Sequence, residues 1–251
     1  MAYRNGPKIV TDGLVLCLDA AISKSYPGSG TTWYDLSTSK INGTLTNGPV
    51  FNSANRGYFS FDGTNDKVLI SDVDIDYTAD FTISCWVYAH SSTASDNTYR
   101  GFLKFGNDNE SSDILTLIKW RSGIGNGFVV DYNTGGDRYV ITTNSTLPNP
   151  NARAAYPGTD YVLTGKWSYL TVSISGTDLN LYINDQIYDT VSLSGATRWS
   201  GIKDLHIGGF VVSVYNYYWK GDIPTTMIHD RALTSDEITQ NFNATKGRFG
   251  V

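Results

Sequence analysis

Phe81-Thr82-Ile83-Ser84-Cys85-Trp86-Val87-Tyr88 decides the fold. Phe81, Ile83, Cys85 and Val87 fall on one face and Thr82, Ser84, Trp86 and Tyr88 on the other, the two-residue period of a pleated strand. Similar runs lie on both sides. Residues 14–18 are almost wholly apolar between Asp12-Gly13 and Asp19, and residues 58–61 end at the turn Asp62-Gly63 before 67–70 resume the pattern. Further runs cover 101–105, 114–120, 127–132, 138–143, 167–175, 179–183, 187–191, 205–207 and 222–229. That spacing is typical of a sandwich of short strands.

Composition agrees. The chain has 251 residues, a length that suits one large sandwich or barrel. Of 24 acidic residues all but Glu110 and Glu237 are aspartate. Aspartate bonds to its own turn, whereas glutamate suits helix interiors. Aromatic residues reach 13%, 17 of them tyrosine, and flat rings pack well on a pleated surface. The net charge is −5 and no basic run exceeds two residues, which leaves no footprint for nucleic-acid phosphates. No apolar stretch approaches the ~18 residues of a membrane span. Met1 to Gly13 lacks an apolar segment, so no secretory leader is expected. Cys17 and Cys85 sit inside apolar strand patterns and read as buried free thiols.

Local signals add detail. Residues 179–183 and 186–191 flank Asn184-Asp185 as a two-residue hairpin, whose loop wants positive φ at both positions. Only one helix is marked. Thr234 and Glu237 have the spacing of a capping box, and Leu233 and Ile238 that of a hydrophobic staple. Ile238 and Phe242 share a face and Gly247 is a natural stop, which predicts a helix over about 235–243. Residues 144–166 form the longest stretch without strand pattern and carry Pro148, Pro150 and Pro157. The expected organisation is an N-terminal arm over 1–12, a sandwich over 13–243 and a tail over 244–251, with either end able to act as a docking arm.

Four segments resemble the laminin-G-like, concanavalin A-like lectin/glucanase family. They are Phe59-Ser60-Phe61-Asp62-Gly63-Thr64-Asn65-Asp66; Phe81 to Val87; Lys166-Trp167 with Leu181-Tyr182-Ile183-Asn184; and Gly221-Asp222-Ile223 with His229-Asp230-Arg231-Ala232-Leu233-Thr234 and Glu237-Ile238. Asp185 stands where that hairpin usually has glycine. The resemblance implies an all-β, two-sheet antiparallel β-sandwich of jelly-roll type with one short C-terminal helix. Residues 14–18 and 222–229 should then lie near each other. Residues 12–21, 26–36, 42–49 and 240–250 further resemble the ends of such domains in virion proteins of tailed bacteriophages. That likeness, and nothing in composition or periodicity, implies a virion location.

The chemistry points away from catalysis. Glucanases of this fold carry a strand of clustered carboxylates, and retention needs two carboxyl groups ~5–5.5 Å apart; here the two glutamates are far apart and no such strand occurs. There is no G-x-S-x-G elbow, Gly165-Lys166-Trp167 lacks the spacing of a phosphate loop, and His90, His206 and His229 are isolated. Asp72-Val73-Asp74-Ile75-Asp76 opens like an EF-hand, but Tyr77 replaces the glycine and Ile83 the closing glutamate. Asp62, Asn65 and Asp66 crowd one turn with oxygens of the kind calcium takes. The competing and favoured reading is that they cap their own turn, with no cofactor. For ligand or interface contact the candidates are Tyr215 and Tyr217 from the run Tyr215-Asn216-Tyr217-Tyr218-Trp219, joined by Tyr132, Tyr139 and Tyr156 from neighbouring loops; Trp219 reads as core. Tyrosines serve a saccharide patch and a protein interface equally, and that choice stays open here.

The reading that follows is a non-catalytic structural protein of a tailed-phage virion, foremost a head decoration or outer accessory protein. Its partners are capsid or tail subunits, with contact to host surface saccharides, in a homo-oligomeric or multi-copy assembly. The alternative is a glycan- or receptor-binding module of a tail or fibre; a glycoside hydrolase comes third.

Overall fold

The computed structural model describes residues 7–90, 100–107, 114–119, 128–134, 138–142, 153–155, 164–199, 201–213 and 215–251. Strand makes up 52% of the chain, in two large sheets that face each other as a sandwich. The first sheet runs Gln186–Ser192, Asp178–Ile183, Trp167–Ser175, Phe81–Ala89, Lys220–Ile223, Tyr58–Asp62 and Val50–Asn52; Thr225–His229 also pairs with Phe81–Ala89 and carries Leu14–Asp19 on its far side. The second runs Arg153–Ala155, Arg138–Thr142, Phe128–Asn133, Ile114–Lys119, Arg100–Phe105, Lys203–Ile207, Lys67–Val73, Gly43–Thr46 and Thr32–Trp33. Among the described strands the pairings are antiparallel except that of Arg138–Thr142 with Arg153–Ala155, and an isolated bridge of Ala89 with Thr164 is also parallel. The strand Arg153–Ala155 falls inside the stretch expected to lack one.

The decisive run Phe81–Ala89 occupies the middle of the first sheet. Trp167–Ser175 pairs along one side, from Trp167 with Tyr88 to Ile174 with Phe81. Two strands share the other side, because Pro224 has no N–H to donate and breaks what reads as a single strand over 222–229. Leu14–Asp19 pairs with the second of them, Cys17 opposite Met227, so first and last strands close together as expected. The hairpin also forms, Ile183 opposite Gln186. Asn184 takes φ 60 there while Asp185 keeps a negative φ, so one left-handed residue suffices where two were expected.

Period-two alternation sends Phe81, Ile83, Cys85 and Val87 into the core against Leu103, Phe105, Leu115, Leu117, Leu205 and Ile207. Each such buried side chain contributes roughly 1.5–3 kcal/mol. Cys17 and Cys85 are both free and buried. They lie on opposite faces of one sheet, Cys85 in the core and Cys17 among the outer cluster.

Part of the outer face of the first sheet is covered as well. The C-terminal helix, Ser235–Thr245, has the expected capping box: the Thr234 hydroxyl accepts from the Glu237 N–H and the Glu237 carboxylate accepts from Thr234 N. Its Phe242, with Phe249 beyond it, lies over Trp86, Tyr169, Met227 and Cys17, and the Trp86 indole donates to the Thr245 hydroxyl at 2.8 Å. Val10 joins Leu233, Ile238 and Tyr182 in a third apolar cluster. Its N–H donates to Asn241 at 2.7 Å. The Gln240 amide donates to the Lys8 carbonyl at 2.7 Å. Residues 7–12 and 244–249, set apart on sequence as arm and tail, are therefore packed onto the sandwich.

Candidate functional site

The predicted tyrosines separate into three groups. Tyr132 and Tyr139 are opposite each other on paired strands and fully buried, which corrects their expected place on surface loops. Tyr132 alternates with Asp131 and stacks on Trp199 at 4.7 Å between centroids. Parity puts the tyrosines inward and Asp131 and Arg138 outward, where the two form a bidentate pair. Tyr156 lies outside the described residues. Tyr215 and Tyr217 belong to a hairpin of Gly209–Val212 and Tyr215–Tyr218 folded against the outer face of the second sheet. The Phe210 ring stacks on Tyr217 at 5.4 Å and needs Gly101 beneath it: a Cβ there would lie 2.2 Å from that ring. The buried Lys104 ammonium donates to the Val211 carbonyl at 3.0 Å and ties the hairpin down. Tyr215 projects from it, 62% exposed.

At the turn of Asp62, Asn65 and Asp66 the two carboxylates each accept from a backbone N–H, and the main chain of Asn65 accepts from a side chain. Asp62 accepts from Thr64 N at 2.7 Å, Asp66 from Asp62 N at 3.0 Å, and the Asn65 carbonyl from the Asn47 amide at 3.0 Å. Asp66 is buried, and burial holds its carboxyl above the usual range. Among the described residues no group of three His, Cys, Asp or Glu side chains could hold a metal.

A different constellation is built on the outer face of the first sheet. Four strands contribute alternate residues: Tyr58 and Ser60, Tyr88, Trp167, and Asp222. Register sets Asp222 beside Ser60 on one side and Tyr88 on the other, and Trp167 opposite Tyr88. Gly221 lets the strands close, since a Cβ there would lie 2.1 Å from the Tyr88 carbonyl oxygen. The Trp167 ring lies 5.2 Å from Tyr88 and 5.7 Å from Tyr58, and the Tyr88 ring 6.1 Å from His90. All these rings are half-buried. Beneath them Asp222 is only 6% exposed. Its Oδ1 accepts from the Ser60 hydroxyl at 2.6 Å and lies 3.0 Å from His90 Nε2. Its Oδ2 has no hydrogen-bond partner among the described residues. Burial, then the charge on Asp222, then Tyr88 push the Tyr58 hydroxyl above its ordinary range, so it stays a donor.

Ser60, His90 and Asp222 are the residue types of a nucleophilic relay, but their order is wrong. The relay needs the imidazole between carboxylate and hydroxyl. Here the carboxylate stands between, and Ser60 donates to it instead of losing its proton to His90. What the arrangement offers is an aromatic cluster whose rings are inclined to one another, Trp167 by 65° to Tyr58 and by 50° to Tyr88, with fixed hydroxyls and one carboxylate oxygen with spare acceptor capacity. The sequence signal was the outward parity of Tyr58, Ser60, Tyr88 and Trp167.

Residues 62–239 match the family Laminin_G_3, described as the concanavalin A-like lectin/glucanases superfamily. No curated protein matches the chain. Among solved structures it is similar to the receptor binding domain of botulinum neurotoxin D (TM-score 0.67, 12% identity, 92% of this chain and 52% of that one). It is likewise similar to the binding domain of Paraclostridial Mosquitocidal Protein 1 (0.67, 19%, 92% and 52%). A third is the binding domain of botulinum neurotoxin DC in complex with rat synaptotagmin II (0.66, 14%, 94% and 52%). The chain spans about half the length of these proteins, and at such identities the likeness is one of fold.

Proposed function

The chain belongs to the concanavalin A-like lectin/glucanase superfamily, and we propose that this member is a non-catalytic saccharide-binding module of a tailed-phage virion. The observation that carries the binding role is Asp222, a buried carboxylate with one oxygen unpaired among the described residues, under the half-buried rings of Trp167, Tyr58 and Tyr88. A pyranose presents an apolar C–H face and a fringe of hydroxyls. The face lies on the aromatic surface, one hydroxyl donates to Asp222 Oδ2, and the Tyr58 hydroxyl donates to a sugar oxygen. Few placed polar groups in an apolar setting are what a small-molecule site needs. Hydrolysis would need two carboxyl groups across the bond, and in this patch Asp222 is the one carboxylate among the described residues named. The virion setting is supported by the resemblance of residues 12–21, 26–36, 42–49 and 240–250 to phage virion domains.

A glycan array probed with the full chain tests this. Binding is expected with wild type and with Tyr217→Ala, and a loss of about tenfold or more with Asp222→Asn or Trp167→Ala. Unaltered binding by both patch variants, or turnover of any bound polysaccharide, overturns the reading.

The exposed Tyr215 favours a second role beside it, docking onto capsid or tail subunits as a head decoration or outer accessory protein. Copy number per particle by mass spectrometry checks it: hundreds support decoration, a handful place the chain at a tail.

A further inference from the structure

The outer face of the first sheet carries a second concavity. A groove of about 1070 Å³ lies between residues 7–11, the strands Leu14–Asp19 and Thr225–His229, and the end of the C-terminal helix. Leu14, Leu36 and Met227 line it with Ile9 and Ile22, the last 42% exposed. No aromatic ring is among its described lining residues, so it lacks the ring faces on which a sugar's C–H face would pack. Its apolar part is aliphatic and thioether.

Two guanidinium groups reach this groove, in different states. Arg248 is spent. It donates to both oxygens of Asp19 at 2.8 and 3.0 Å, to the Asn55 carbonyl at 3.3 Å and to the Gly57 carbonyl at 3.0 Å. Those bonds strap a loop in which Asn55 and Arg56 both take left-handed φ, 49 and 68. Side chains avoid that region unless surrounding structure enforces it, and here Arg248 supplies the enforcement. The residue displayed is Arg56, exposed, lining the groove and with no ion pair or hydrogen bond to a described side chain.

We infer that this groove binds a single-chain acyl carboxylate. The chain runs along Ile9, Leu14 and Leu36, and the carboxylate takes a bidentate pair from Arg56, the geometry a guanidinium fork fits best. Charge complementarity selects the headgroup: Asp19 already neutralises Arg248, which leaves one net positive charge for one negative headgroup. The inference shares no residue with the saccharide patch and stands without it.

The test titrates the full chain with a dansyl-labelled acyl carboxylate and then displaces the probe. Saturable binding is expected, with laurate displacing the probe about tenfold better than dodecanol, the uncharged chain of equal length. Arg56→Gln, at an exposed position, should weaken binding about tenfold with an unchanged circular dichroism spectrum. Ile22→Trp should block the groove. Absence of saturable binding, equal displacement by laurate and dodecanol, or an Arg56→Gln variant that binds like wild type overturns the inference. Asp222→Asn should leave probe binding intact and Arg56→Gln should leave glycan binding intact, so the two sites fail separately.

Discussion

Phe249 lies 4.4 Å from Trp86 and 4.6 Å from Trp167, centroid to centroid. Phe249 thus bridges the covered part of the outer face and the open aromatic patch. Removing its ring leaves a cavity over Trp86 and takes a support from Trp167. Phe249→Ala should cost about 3–5 kcal/mol, the range for buried aromatic truncations. Chemical denaturation should show a lower midpoint with the slope unchanged. Saccharide binding should weaken too, although Phe249 is itself 92% buried and Trp167 is the half-buried ring.

The helix that leads to Phe249 is fastened at its start by Glu237. Hydrogen bonding from Arg231 first, then from Thr234, holds the Glu237 carboxyl down at about 2. A carboxyl depressed in the folded state adds stability that is present above its unfolded value of about 4.5 and is lost as pH falls through about 2. Glu237→Gln should therefore lower the melting temperature at neutral pH and have little effect near pH 2. Thr234→Ala, which removes the cap itself, should cost about 1 kcal/mol at either pH. Melting curves of both variants across pH separate charge from cap.

Asp66 shows what the crowded acidic turn does. Its carboxylate accepts from Asp62 N at 3.0 Å in a buried setting. Asp66→Ala should cost about 1–3 kcal/mol, the penalty for leaving a buried donor unmet. A calcium site at 100 times its dissociation constant would add about 2.7 kcal/mol. With one oxygen of Asp62 and one of Asp66 each held by a backbone N–H of the turn, neither added calcium nor a chelator should shift the melting temperature measurably.

How far each feature could be read in advance depended on how local its cause is. The capping box, the hairpin at Asn184 and the alternation of 81–88 are local and fold as their residues dictate. Tyr132 and Tyr139 lie inside although tyrosine is common at interfaces: strand parity decides, and the neighbouring Asp131 and Arg138, paired on the other face, mark which side is the core. The covered outer face was hidden because a tail of a few residues carries no periodicity. The Asp222 patch was hidden for a deeper reason. Ser60 and Asp222 are 162 residues apart, and only the order of four strands brings them together. Each residue alone is an ordinary outward position.

The two thiols give a pH test of the sandwich: Cys85 lies in the core, away from both sites, and Cys17 lies at the floor of the groove. Cys85 is pushed up to about 12 by burial; Cys17 reaches about 12 by burial first, then by the charges of Asp19 and Asp35. An acid whose folded value is raised binds its proton more tightly in the folded state. Its contribution is whole below the unfolded value of about 9 and is lost as pH rises towards about 12. Alkaline titration should unfold the protein over that window, and Cys17→Ala should blunt the loss if its own cavity is allowed for at neutral pH. Thiolate is the reactive form. At pH 8 a thiol reagent should find no reactive group in the native protein and two after denaturation. Fast modification of either cysteine in the folded chain would mean that the outer cluster, or the core, opens far more readily than its packing allows.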